Sequence, residues 1–283
     1  MTKLADVEDR TYAVRMPSLF ADHPVILRGG GDLATGVAWR LCRSGFPVIV
    51  LELAAPLTVR RRVALSEAVH EGVVDVEGMV GIAVDSLEHA RVVSDLGSVA
   101  VLVSPTLPPG PHRIVVDARL AKRNIDTTIA DADLVIGLGP GFRAGVDCHA
   151  VIETMRGPRL GRVIREGSTT PDTGTPAEVG GRGAERVLRA PQHGTVEWVP
   201  GVEIGDRVTA ESTLGNVGGA PIVAPFDGII RGLIRSGTTV AAGLKIGDVD
   251  PRGADVAADE ISDKALAIGG GVLEAVLAHL TNR

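Results

Sequence analysis

Three consecutive glycines, Gly29-Gly30-Gly31, divide an apolar run, Val25-Ile26-Leu27, from a stretch of helical periodicity, and this join constrains the fold more than any other feature. From Leu33 to Arg43, residues Leu33, Val37 and Leu41 repeat at helical spacing beside Ala34, Ala38 and Cys42, and Gly45 stands where a helix C-cap glycine belongs. Pro47 to Leu51 is a second apolar run. Gly29-x-Gly31-x-x-Ala34 fits the dinucleotide fingerprint with alanine in its third position. Gly29 permits a tight turn off the strand, Gly31 lets backbone approach a pyrophosphate, and Ala34 lets helix and strand pack closely. Amides at the helix mouth then face the anion. Gly29, Gly30, Gly31, Asp32, Leu33, Ala34, Thr35 and Gly36 are therefore candidate cofactor-binding residues. Glu52 joins them, because it ends the second run about 20 residues further on, where an acidic group binds ribose hydroxyls. Asp32 counts against the reading unless it points away or caps the helix, since a carboxylate beside the loop repels phosphate. A loop that binds nothing, or a non-nucleotide anion, fits the same residues.

Further apolar runs follow at 80–84, 99–103, 114–116 and 134–136, with a helix expected over Ser86–Leu96. Strands alternating with helices imply a parallel sheet covered on both faces, a Rossmann-like α/β domain over residues 23–166 after a lead-in over 1–22. Aromatic residues make up only 2% of the chain, so Val, Ile, Leu and Ala must fill the core, which suits buried parallel strands.

A second glycine loop, Gly137-Leu138-Gly139-Pro140-Gly141-Phe142, follows the run Leu134-Val135-Ile136 at the carboxyl end of a strand, where open α/β sheets bind ligands. Gly137, Gly139 and Gly141 permit close ligand approach, and Phe142 is a candidate to stack on a planar ring; a plain turn is the alternative. Asp117 and Arg119, at another strand end, are candidates for the same cleft. Cys148 beside His149 invites a thiolate nucleophile or metal contact, but neighbours on a strand point to opposite faces, which favours a half-buried inert thiol. Glu153 and Arg156 lie close by in sequence. No catalytic set is legible, and no His/Cys cluster has metal-ligand spacing.

Residues 167–186 are turn chemistry, read as a loop or linker. A repeat comes next. Ala190-Pro191-Gln192-His193-Gly194-Thr195-Val196 returns as Ala224-Pro225-Phe226-Asp227-Gly228-Ile229-Ile230, and Leu214-Gly215-Asn216-Val217 returns as Ile246-Gly247-Asp248-Val249. Two β units of this size, each unable to bury its own apolar face, would pack on each other as a small domain over 187–252. A helical segment over 253–283 carries Gly269-Gly270-Gly271, which calls for close packing on another backbone or a break between two short helices.

A net charge of -6 disfavours nucleic acid as a partner, and the one basic cluster, Arg60-Arg61-Arg62, is either a solvated turn or an anion contact. The first residues lack an apolar signal region and no stretch approaches the ~20 apolar residues of a membrane helix, so the expectation is a cytoplasmic protein with no membrane partner. The composition leaves room for a homo-oligomer.

Several stretches together carry a family resemblance: Arg28–Gly36, Ser66–Val69, Gly137–Phe142, Val151–Thr154, Lys245–Arg252 and Ile268–Glu274. Over residues 24 to about 280 the chain resembles the YqeB-type accessory proteins of selenium-dependent molybdenum hydroxylase systems, and its first domain is distantly similar to the XdhC/CoxI factors. The resemblance implies maturation of a molybdenum hydroxylase apoenzyme by handling a molybdopterin-type cofactor or its nucleotide form. The repeat resembles a biotinyl/lipoyl-like barrel-sandwich hybrid. In those carriers the hairpin between the halves presents a modifiable lysine. Here that stretch is Leu214–Pro221, and no lysine occurs between Lys122 and Lys245, so no biotin or lipoate attachment is expected. An NAD(P)-dependent enzyme, or a non-catalytic interaction scaffold, remains the alternative.

Overall fold

A computed structural model describes residues 19–172, 174, 181–253 and 258–281. Most of the lead-in and the middle of the linker lie outside them. The strand runs show no apolar–polar alternation, and the reason is burial on both faces. The first part comprises β1 (Val25–Arg28), α1 (Asp32–Arg43), β2 (Val48–Glu52), α2 (Ala68–Glu71), β3 (Val73–Val76), β4 (Met79–Val84), α3 (Leu87–Asp95), β5 (Val99–Val103), β6 (Ile114–Asp117), β7 (Leu134–Leu138), β8 (Ala150–Ile152) and β9 (Val163–Ile164). These form one sheet in the order β3-β4-β5-β2-β1-β6-β7-β8-β9. The seven inner strands are parallel, but β3 and β9 close the edges antiparallel, so the sheet is mixed rather than parallel throughout. Both edge strands escaped the sequence because β3 is a four-residue, largely exposed strand interrupted by Asp75 and β9 has two residues.

Alternate residues divide the sheet's faces. Val25, Leu27, Val48, Val50, Val99, Val101, Ile114 and Val116 pack with Leu33, Val37 and Leu41 of α1. Ile26, Ile49, Leu51, Ala100 and Val115 pack with Ala90 and Val93 of α3, which Ser86 caps by accepting the His89 N–H.

The second part comprises β10 (Val187–Arg189), β11 (Gly194–Trp198), β12 (Arg207–Val208), β13 (Thr213–Val217), β14 (Ala220–Val223), β15 (Gly228–Leu233), β16 (Thr239–Val240) and β17 (Lys245–Asp250). They form two four-stranded antiparallel sheets, β10-β17-β15-β12 and β14-β13-β11-β16. The sequence repeat becomes an exchange of strands. β12 of the first copy pairs with β15 of the second, and β16 of the second pairs with β11 of the first. Val196, Leu214, Val217, Ile230, Ile246 and Val249 then share one core. The β13–β14 hairpin turns on Gly218 and Gly219, both with positive φ.

The chain finally returns to the first sheet. Helix α4 (Asp263–Thr281) places Ala265, Ile268, Val272, Ala275 and Val276 in the same core as Val25, Leu27 and α1. It is therefore part of the large-sheet unit, not a segment of its own. Its glycines resolve the choice left open by the sequence: the helix is unbroken and the glycines admit neighbouring backbone. A Cβ on Gly269 would lie 2.5 Å from the Gly36 carbonyl oxygen, one on Gly271 would strike the Gly161 carbonyl, and one on Gly270 would meet nothing within 4 Å. Contrary to the composition reading, α4 is long and apolar enough to cross a membrane, with a mean hydropathy of 1.3 over its most apolar window. Its buried stripe against α1 and the sheet accounts for that composition in a packed core.

Candidate functional site

The strand order places β1 and β6 side by side with chain connections running opposite ways from them, and crevices open at the carboxyl ends of strands at such reversals. The Gly29–Gly36 loop lies here, and its residues do different jobs. Gly29 turns with φ +98°, and a Cβ on it would press on the Ala118 carbonyl at 3.2 Å. Gly30 is walled in by Val50 and the Ser66 backbone, and its carbonyl accepts the Ser66 N–H at 2.9 Å. Leu33 and Ala34 are core. The Thr35 hydroxyl donates to the Gly31 carbonyl and accepts the Leu65 N–H. Gly36 makes room for Ala265 of α4. That leaves Gly31 and Asp32 at the open side. A Cβ on Gly31 would meet only the Thr58 hydroxyl oxygen, at 3.8 Å, and no side chain caps the helix it begins.

Glu52 does not present its carboxylate to a ribose. One oxygen accepts the Gly30 N–H and the other the Leu53 N–H, each at 2.7 Å, and the residue is 8% exposed. Burial raises its carboxyl above the usual range despite those two amides. It tethers the glycine loop to the end of β2.

Asp117 and Arg119 belong to a closed network. The Arg119 guanidinium donates to both Asp117 oxygens and to Asp126, while buried Arg28 donates to Asp126 and Thr127 at 2.7 Å each. The Thr127 hydroxyl completes it by donating to Asp117 at 2.6 Å. Two guanidiniums facing two carboxylates leave no net charge to offer a ligand.

The second glycine loop is filled by the protein itself. The Phe142 ring lies against Gly137 and is 5% exposed among Val135, Ala144, Cys148 and Val151, so it cannot stack on a ligand. A Cβ on Gly139 would lie 2.6 Å from the Thr154 hydroxyl oxygen, and one on Gly141 the same distance from the Arg123 backbone. The Cys148 thiol is fully buried and pushed up to about 11 by burial, which suits the inert reading. His149 accepts the Val135 N–H through Nδ1, and burial lowers its pKa. Glu153 is 1% exposed and accepts the Met155 and Thr170 amides, which draws residues 169–170 of the expected linker onto the large-sheet unit.

Arg60, Arg61 and Arg62 are neither a solvated turn nor a simple anion contact. Arg60 donates to the Glu260 carbonyl and lies 3.7 Å from Asp32, Arg61 donates to the Leu233 carbonyl, and Arg62 pairs with Asp259. From the other side Arg235 reaches Glu67 and Glu71. The small β unit is thus pinned against the segment that borders the glycine loop. Its strand β15 comes so close that a Cβ on Gly232 would lie 2.8 Å from the Val59 carbonyl. One shallow hollow of about 230 Å³ lies at this junction, lined by Arg61, Arg62, Glu67 and Asp75, and another of about 430 Å³ lies beside Trp198 and Pro221. Among the described residues no group of three or more His, Cys, Asp or Glu side chains is placed to hold a metal ion.

The sequence missed Arg231 and Lys264, which share this junction. The available signal was a lone arginine inside the apolar run Ile229-Ile230-Arg231-Gly232-Leu233.

The fold defines a mixed α/β protein with a large mixed sheet, two smaller antiparallel sheets and a helix that closes the larger core. No family model matches the sequence. The chain is similar to the uncharacterized protein YqeB of Escherichia coli (strain K12), 44% identical over 256 residues that make up 89% of this chain and 47% of that protein. It therefore spans about half the length of that relative. A succinylglutamate desuccinylase/aspartoacylase from Rhodobacter sphaeroides aligns over 83% of this chain and 86% of its own at 14% identity, with a TM-score of 0.25, too low to carry an argument.

Proposed function

We propose that the large-sheet unit is a Rossmann-like domain that binds a phosphate-bearing small molecule at the mouth of α1, and that the protein is a cytoplasmic accessory factor for a molybdenum hydroxylase. The ligand in this reading is a molybdopterin-type cofactor or a nucleotide, passed to the hydroxylase apoenzyme. The β unit, a barrel-sandwich hybrid without the carrier lysine, serves as a docking or structural module. The family resemblance read in the sequence supplies the biological setting, and the similarity to YqeB, an uncharacterized protein, adds no activity to it. The observation that carries the binding claim is the helix mouth, uncapped by any side chain and with Gly31 facing open space. Free amides at a helix N-terminus favour an anion by geometry and by the helix dipole. The fit concerns the anionic group alone.

An NAD-dependent enzyme is the weaker reading, because Glu52 already has both oxygens on backbone amides. Calorimetry of the purified protein against pyrophosphate, CTP, ATP, NAD and molybdopterin species tests the proposal. The expected result is binding of one or more of these, weakened by salt, without turnover. Silence against all of them defeats it, and NAD binding with turnover favours the enzyme.

A further inference from the structure

Among the described residues, most acids and bases at the junction of the two units face one another. Asp248 takes Arg186 at 2.6 Å and Lys245 at 3.3 Å, Asp250 takes Arg252 at 2.7 Å, and Asp263 takes Arg156 at 2.7 Å. Asp32 faces Arg60 at 3.7 Å. Among the described residues two cations are left over. Neither Arg231 nor Lys264 has a hydrogen bond or ion pair among the described residues, and both are partly buried. The Arg231 Nε is shut away from solvent without an acceptor, as is Nε of Arg60, itself 7% exposed. The acids nearest them, Asp248, Asp250, Asp263 and Asp32, already face other cations, and a partly buried charge without a dedicated partner is relieved by a bound anion.

Lys264 lies beside α1, and Arg231 lies beside the Val59–Arg60 segment that borders its mouth. Arg231 sits at the irregularity between Ile230 and Gly232 in β15, where the strand meets Val59 and so flanks Arg60. The charges of Arg60, Asp248, Asp250 and Arg252 act on it, and its own acts on Asp263. Lys264 is in the first turn of α4, next to Ala265, which packs on Gly36, and the Asp32 charge acts on it. Arg60 bridges the two helix mouths, with Asp32 on one side and the Glu260 carbonyl on the other.

We propose that this junction is the anion site, with Arg231 of the β unit and Lys264 of α4 neutralising a phosphate or pyrophosphate group that lies against the N-terminal amides of α1. The inference rests on the binding reading above and adds to it. The ligand is held between the two units, so the β unit supplies part of the site. Guanidinium and ammonium groups beside a helix N-terminus suit a multiply charged oxyanion.

The test titrates inorganic pyrophosphate at low salt into the full chain, into Arg231→Gln and Lys264→Gln, and into Arg113→Gln, whose exposed pair with Asp133 is a charge-matched control elsewhere. Thermal unfolding of each variant checks its fold. The expected result is affinity reduced tenfold or more in each junction variant, loss of the pyrophosphate-induced rise in Tm, and little change in the control. Wild-type binding that both junction variants retain overturns this inference and leaves the glycine-loop reading standing. Wild type that binds neither pyrophosphate, phosphate nor any nucleotide overturns both. If Arg231→Gln does not fold, Lys264→Gln decides alone.

Discussion

The two glycine loops look alike in the sequence and differ in space. Each follows a buried strand and each has glycines with positive φ, Gly29 in the first and Gly139 and Gly141 in the second. In the second loop every glycine is accounted for by protein: the Phe142 ring, the Thr154 hydroxyl and the Arg123 backbone occupy the space that side chains would take. In the first, Gly29, Gly30 and Gly36 are likewise accounted for, but Gly31 faces nothing closer than Thr58. A glycine-rich turn after a strand announces that something comes close to the backbone. It does not say whether that is a ligand or the rest of the chain.

The contrast can be broken by substitution. Phe142→Ala removes a buried ring from the second loop and is expected to cost about 3–5 kcal/mol in denaturant unfolding; a cost under 1 kcal/mol would mean the loop is not held by its own side chain. Gly141→Ala forces a side chain at φ +110° into the Arg123 backbone and is expected to cost about 2–3 kcal/mol. Gly31→Ala, at φ −68° in open space, should change stability by no more than about 1 kcal/mol, while its effect on pyrophosphate affinity reports on the helix mouth. Equal destabilisation by the two glycine substitutions would erase the distinction.

The second loop also has an acid-labile buttress. Burial pushes the Glu153 carboxyl up, but the Met155 and Thr170 amides, the Thr170 hydroxyl and the Thr154 amide outweigh it and hold its pKa below the usual value. A folded pKa below the unfolded one, about 4.3, gives stability that is present above that pH and lost as pH falls through the folded value. The Tm of the wild type should therefore fall below pH 4 more steeply than that of Glu153→Gln. Parallel curves would show that Glu153 contributes nothing of this kind.

The inner strands other than β8, the glycine loop with its helix and helix α3 were legible because their signals are local: uninterrupted apolar runs, a fingerprint with its flanking elements, and a helix-compatible stretch between two such runs. The repeat was legible as self-similarity, but the exchange of strands between its copies was not. The edge strands were not, since segments of four and two residues are too short to carry a period. The membership of α4 was not, since periodicity shows that a helix has an apolar face and not which sheet receives it. At the site, Gly31 and Asp32 were found by motif. Glu52 and Phe142 were assigned to a ligand because their positions suit one, but a backbone amide took the first and a core took the second. Arg231 left only the trace of an arginine inside an apolar run, and Lys264 none, because their importance comes from pairing across the fold, where the nearby acids already have partners.

The placement of α4 governs the order in which the molecule can be assembled. The face of β1 that bears Val25 and Leu27 is made early, but the helix that covers it is translated about 240 residues later, after the whole β unit. On the ribosome the β unit can close on its own repeat while the larger sheet still exposes an oily surface. Contacts between residues so distant in sequence slow folding, and a nascent chain in that state is a natural client for a chaperone.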